Sequence, residues 1–182
     1  MMEIKPFKAV RFDAAIVGDV SSCIAPPYDV ISPAQQQMLY EKSEYNIVRI
    51  TKGKTAPSDT ADNNPYTRAA DYLNTWIKKG ILKQDPIEAI YAYVQDFQFT
   101  GRQFQRSSFI ALAKLEEFSP KGRVMPHEQT LNEPKVDRLN LKRATAADFG
   151  LPLLLYEDEQ KIADKIIKNA AGQKPLIDFL DE

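Results

Sequence analysis

Tyr91-Ala92-Tyr93-Val94-Gln95-Asp96-Phe97-Gln98-Phe99, Thr100-Gly101-Arg102-Gln103 and Phe104-Gln105-Arg106-Ser107-Ser108-Phe109-Ile110 form the stretch whose reading decides the fold. Two β-rich runs, Ala89 to Phe99 and Phe104 to Phe118, flank a polar turn at 100–103. Tyr91, Tyr93, Phe97 and Phe99 share one parity; Phe109, Ala111, Ala113 and Leu115 share one on the return. A period of two on both sides of a glycine-containing turn predicts a long antiparallel hairpin.

Upstream, Asn64-Pro65 opens a predicted helix. Tyr66, Ala69, Ala70, Leu73, Trp76 and Ile77 fall on one face at three- and four-residue spacing, and Gly80 stands where a helix ends. The sheet that follows is the expected partner of that face. Ser32-Pro33 predicts another helix start, running to about Glu44. Phe7 to Phe12 reads as a short strand, and Asn46 to Thr51 as a β-type run. Between 52 and 64 the chain is nearly devoid of apolar residues, which predicts a solvated, flexible loop. Downstream, Pro134 to about Ala147 reads as helical and Leu151 to Tyr156 as a buried strand. Ile162 to Ala170 forms a helix closed by Gly172, and Pro175 to Leu180 a last extended piece. Strands and helices that do not alternate strictly predict an α+β domain over residues 1–182, an antiparallel or mixed sheet flanked by about four helices.

Composition excludes several classes. The 182 residues carry 24 Lys+Arg against 25 Asp+Glu, so a strongly basic nucleic-acid binder is not expected. One cysteine, Cys23, excludes an internal disulfide scaffold and reads as a small buried hydrophobe. The longest apolar runs are too short for a membrane-spanning helix, and no apolar segment follows Lys5, Lys8 and Arg11 as a secretory signal requires. A cytoplasmic location without membrane or nucleic-acid partners is the expectation.

Chemistry concentrates in two places. His127, Glu128 and Thr130 put imidazole, carboxylate and hydroxyl within four positions. Pro134 then marks a helix start, whose free backbone N–H groups favour anions. Lys135, Arg138 and Lys142 stack at three- and four-residue spacing, with Asp137 beside them. This combination describes an anion site, with His127 or Glu128 as base. The second place is Ala25-Pro26-Pro27-Tyr28-Asp29, a stiff segment that presents a phenol and a carboxylate. Each has a plainer counterpart: a loop histidine, a solvated basic face, and a turn wrapping a sheet edge. The residues point to no metal centre, because the single histidine and single cysteine leave zinc without ligands.

Lys5-Pro6-Phe7-Lys8-Ala9-Val10-Arg11, Ala25-Pro26-Pro27-Tyr28-Asp29-Val30, Trp76-Ile77-Lys78-Lys79-Gly80-Ile81-Leu82, and Pro126-His127-Glu128-Gln129-Thr130 with Lys135-Val136-Asp137-Arg138 occur in this order. That series resembles the bacterial family called domain of unknown function 1015, from about Lys5 to the end of the chain. The resemblance implies a longer protein whose later half carries an Asp-Gly-His-His-Arg type loop. That loop is similar to phosphate-contacting turns of the ParB and sulfiredoxin-like superfamily, which includes free-serine kinases. This sequence contains no such loop, so it reads as an N-terminal portion. The expected function is to hold a small phosphorylated ligand or nucleotide, with magnesium as the candidate companion ion. As part of a kinase- or phosphotransferase-like protein, the portion is expected to be inactive alone. Docking to the later half or to a second copy is the expected protein contact. The alternative is a non-catalytic binding or interaction module.

Overall fold

Local chemistry sets most helix ends. In the computed structural model, which describes residues 2–117, 119, 122–126 and 132–180, Ser32 caps the helix Pro33–Lys42 (α2). Its hydroxyl accepts from Gln35 N–H while the Gln35 side chain accepts from Ser32 N–H. Asn64 does the same for Pro65–Lys78 (α4), accepting from Tyr66 and Thr67 N–H. Gly80 follows with φ +71°, a left-handed conformation that glycine adopts without a Cβ penalty.

The described residues form an α+β fold arranged as two units. The first comprises Met1–Ala9, Asp85–His127 and Leu153–Asp178. Here Ile4–Lys5 (β1) pairs antiparallel with Leu112–Ala113 (β6), and Tyr91–Phe99 (β4) pairs with Arg102–Ile110 (β5). The hairpin is as expected, but its turn is only Thr100-Gly101, both at positive φ, the backbone that two-residue hairpin turns require. Phe97 stands opposite Phe104, with ring centroids 5.8 Å apart. The returning strand stops at Ile110 instead of continuing to Phe118: Ala111 breaks the ladder, β6 changes partner, and Leu115 is solvent-exposed. Tyr91 ties the base of the unit, its hydroxyl donating to Asp85 Oδ2 (2.7 Å) and accepting from Ala9 N–H (3.0 Å). Ile162–Ala171 (α6) packs on β4 and β5, capped by Asp158, whose carboxylate accepts from Ile162 and Asp164 N–H.

The second unit comprises Val10–Gln84, Glu128–Pro152 and Phe179–Glu182. It contains Val10–Phe12 (β2) paired antiparallel with Leu82–Gln84 (β3), the single turns Ala14–Val17 (α1) and Val48–Thr51 (α3), a 3₁₀ turn at Val20–Cys23, α2, α4 and Asn132–Thr145 (α5). Its core joins Ile50, Ala69, Leu73, Trp76, Ile81, Leu82 and Leu141. Trp76 is ringed by Tyr72, Phe12 and Tyr45 at centroid separations of 5.7, 6.0 and 6.2 Å. Four of the six described α-helices have ten residues or more, which matches the number read from the sequence. The sheet expected from sequence is three separate two-stranded antiparallel pieces. Accordingly α4 packs mainly on α3 and α5, with β3 a lesser neighbour.

Two further expectations are corrected. Within the segment 46–51, Val48–Thr51 is helical despite its β-branched residues. Asn46 is fully buried; its Oδ1 accepts from Val48 N–H (3.0 Å), and its carbonyl accepts from Arg49 N–H (3.2 Å), which starts a helical turn. Burial of Val48 and Ile50 then overrides intrinsic preference. The segment Leu151 to Tyr156 is neither a strand nor buried: Leu155 is 91% exposed, and Pro152 lacks the donor a ladder needs. No helix of the described residues is long and apolar enough to cross a membrane.

Asn46 Nδ2 also donates to Ser22 and Ile24 carbonyls, each at 2.8 Å. Replacing Asn46 by Ala strands two carbonyls and one N–H, so urea denaturation is expected to show a loss of about 3 kcal/mol. Asn46→Asp, equal in size but unable to donate, should cost at least as much. A loss under about 1 kcal/mol in both variants contradicts the role assigned to this side chain.

Acid should weaken the same unit. The Arg68 guanidinium and Ala56 N–H hold the Asp59 carboxyl below its ordinary value, and the Lys83 ammonium with Ala15 N–H does so for Asp13. A carboxyl depressed on folding stabilises above its unfolded value and loses that contribution as pH falls through the folded value. The urea midpoint should therefore drop between about pH 5 and about pH 3, and Asp59→Asn should flatten the slope.

Candidate functional site

The two chemical segments of the second unit meet at the Tyr28 ring. Pro26 and Pro27 run without ladder hydrogen bonds, and a tight turn follows, Val30 N–H donating to the Pro27 carbonyl at 3.1 Å. Tyr28 sits inside that turn, half-buried. Over its ring lies the Arg138 guanidinium, 3.8 Å from the centroid, and the Lys52 ammonium stands 6.0 Å from the same centroid. Both are cation–π distances.

Arg138 is held from three sides. Its Nη2 donates to the Thr51 carbonyl at 2.9 Å, where α3 ends. Its Nε donates to Asp137 Oδ2 at 2.9 Å, and Nη2 reaches the same oxygen. The other oxygen, Asp137 Oδ1, accepts from the Tyr66 hydroxyl at 2.9 Å. Burial, then the Asp137 carboxylate, push the Tyr66 phenol above its ordinary value, so it stays a donor at neutral pH. Arg138 Nη1 makes no hydrogen bond among the described residues. Lys52 is positioned through its backbone, its carbonyl accepting from Gln36 Nε2 of α2 at 2.6 Å.

The basic stripe divides in three. Arg138 turns to Tyr28, and Lys142 pairs with Asp148 at 2.9 Å. Lys135 is exposed. Asn132 and Glu133 already belong to the helix, ahead of the start expected at Pro134. Asp29 is exposed beside Tyr28. His127, Glu128 and Thr130 lie outside the described residues. Sequence reasoning missed Lys52, Thr51 and Tyr66. Lys52 sat in a polar loop, Thr51 contributes a carbonyl that any residue has, and Tyr66 read as helix core. The helical phase of Tyr66, at the first turn of α4, was the available signal for a polar partner on α5.

Tyr28, Lys52, Arg138 and Asp137 together provide an aromatic platform, two cations and one carboxylate. Such a cluster can position an anion by charge and fork geometry. Residues 4–182 match a family described as a protein of unknown function, DUF1015. The chain belongs to the DUF1015 family. No curated protein and no solved structure matches it. The description of DUF1015 names no activity.

A double-mutant cycle tests the meeting of the two segments. Tyr28→Ala and Arg138→Ala, alone and combined, should show a coupling of about 0.5–1 kcal/mol in urea denaturation, the range of half-exposed cation–π pairs. Strict additivity would mean the ring and the guanidinium do not interact.

Proposed function

We propose that this DUF1015 chain is the phosphate- or nucleotide-ligand-binding portion of a small-molecule kinase- or phosphotransferase-like protein, and that it does not turn over substrate alone. The observation that carries this reading is the convergence of Arg138 and Lys52 on Tyr28. Phosphoryl transfer depends on positioned cations more than on covalent help from the protein. Arg138 offers Nη1, which makes no hydrogen bond among the described residues, Lys52 a point charge on a flexible stem, and Tyr28 a flat surface on which a base or the guanidinium can rest. In this reading His127 or Glu128 serves as base, Thr130 and Lys135 contact the anion, and Asp29 or Asp137 offers a carboxylate to a nucleotide's magnesium ion. Gly53, Gly101 and Gly122 are isolated, so no glycine-rich phosphate cradle accompanies the cations. Activity without a further segment is therefore not expected.

The engagement of Arg138 by Asp137 and Thr51 supports a second reading, in which the cluster is a clasp within a non-catalytic interaction module.

Thermal denaturation with added phosphate or ADP separates the two. On the first reading, ligand at about 100 times Kd stabilises the wild type by about 2.7 kcal/mol. Arg138→Lys, which keeps charge but loses the fork, and Lys52→Ala should abolish most of that shift, whereas Lys78→Ala at the end of α4 should retain it. An equal anion response in all four proteins, or none in the wild type, leaves the clasp.

A further inference from the structure

We propose that the chain pairs with a second copy of itself through the outer edge of β4, so that two β4–β5 hairpins join about a twofold axis at Gln95 into one four-stranded antiparallel sheet. β4 belongs to the first unit and takes no part in the Tyr28 cluster, so this pairing stands without the function proposed above.

β4 and β5 pair with each other and with no other strand among the described residues. The two-residue turn makes Phe99 and Arg102 a hydrogen-bonded pair, so the backbone groups of Tyr91, Tyr93, Gln95, Phe97 and Phe99 point at β5. The Tyr93 carbonyl, which accepts from Ser108 Oγ at 3.0 Å, marks that side. The N–H and C=O groups of Ala92, Val94, Asp96 and Gln98 therefore point the other way, along an edge nine residues long. Open edges of monomeric proteins are kept short or carry proline and lysine, which prevent pairing. β4 has neither residue and a single charge, Asp96. A two-stranded hairpin is marginal by itself, and of the buried hydrophobic residues described, Ile167 alone belongs to the first unit.

Antiparallel pairing about Gln95 matches the outward groups of one copy to those of the other. Val94 stands opposite Asp96 of the second copy and Ala92 opposite its Gln98, which forms about eight backbone hydrogen bonds. Tyr93 meets Phe97 and Tyr91 meets Phe99 at non-hydrogen-bonded positions, where facing side chains come closest. Tyr93, Phe97 and Phe99 are all exposed in the single chain, and cross-strand aromatic pairs stabilise a sheet. Asp96 lies diagonally from Asp96 of the second copy, about 7–8 Å away, and Gln105 Nε2 donates to its carboxylate at 2.9 Å.

Charge selects β4 over β5. The same symmetric pairing on Arg102–Ile110 would centre on Arg106 and set two guanidinium groups opposite each other, which is repulsive. On β4 the centre is an uncharged amide. Joining β4 of one copy to β5 of the next would leave an open edge at each end and grow without closing, whereas the twofold pairing closes at two copies.

Sedimentation equilibrium of the whole chain should give twice the mass of one copy. Val94→Pro removes an outward N–H without touching the hairpin's own ladder and should yield monomer. Ser107→Pro makes the same change at an outward position of β5 and should stay dimeric. Gln95→Cys puts two thiols at facing positions about 4.5 Å apart at Cα, within disulfide reach. Mild oxidation should link it into a covalent dimer, the native Cys23 being buried, and Arg106→Cys should stay unlinked. The proposal is overturned by a wild type that is monomeric up to about 1 mM, by the two proline variants behaving alike, or by Arg106→Cys linking as readily as Gln95→Cys.

Discussion

One buried amide holds the second unit together. Asn46 is fully buried, yet every hydrogen-bonding group of its side chain has a partner. Its two N–H groups accept no substitute from water, because burial has removed water; they bind the carbonyls of Ser22 and Ile24. Its oxygen starts the turn of α3. The chain leading to Pro26, Pro27 and Tyr28 is thereby fixed against the turn that presents Arg49, Thr51 and Lys52. A hydrophobic residue at position 46 could fill the volume but could not specify that register, since apolar contact has no direction.

From that junction the charged groups follow by packing. α3 ends at Thr51, and its last carbonyl is one of those a helix terminus leaves unsatisfied. Arg138 supplies the missing donor from α5 and brings its guanidinium over Tyr28. Arg49, two residues earlier, supplies the donor for Tyr40 near the end of α2. Two arginines thus cap the ends of two helices, and each retains a nitrogen without a partner among the described residues. The Arg138 guanidinium lies over the Tyr28 ring, and the Arg49 guanidinium over the Tyr40 ring.

Tyr66 and Asp137 show how strongly such placement depends on helix packing. The phenol from the first turn of α4 meets the carboxylate of α5 at 2.9 Å. Asp137 is then shared between Tyr66 and Arg138, and its charge offsets part of the guanidinium's. The net field offered to an anion is set by Lys52 as much as by Arg138. An anion approaching Tyr28 would meet one cation compensated by Asp137 and one, Lys52, that has no ion pair among the described residues.

What the sequence determined by itself was whatever depends on neighbours in the chain. Ser32-Pro33, Asn64-Pro65 and Gly80 marked helix ends, because caps and left-handed residues act over three or four positions. The polar stretch 100–103 between alternating aromatics marked the hairpin, and the Tyr28 and Asp137-Arg138 segments stood out by residue type. Only tertiary structure decided the rest. Ile47, Val48 and Ile50 favour a strand locally, but Asn46 and burial made 48–51 helical. Leu151 to Leu155 is apolar enough for a buried strand, but no edge in the described residues pairs with it. The contacts that join Arg138 to Tyr28 and to Thr51 span about a hundred residues. No local preference encodes them, because a partner's position is set by packing of α3, α4 and α5 around Trp76 and not by its distance along the chain.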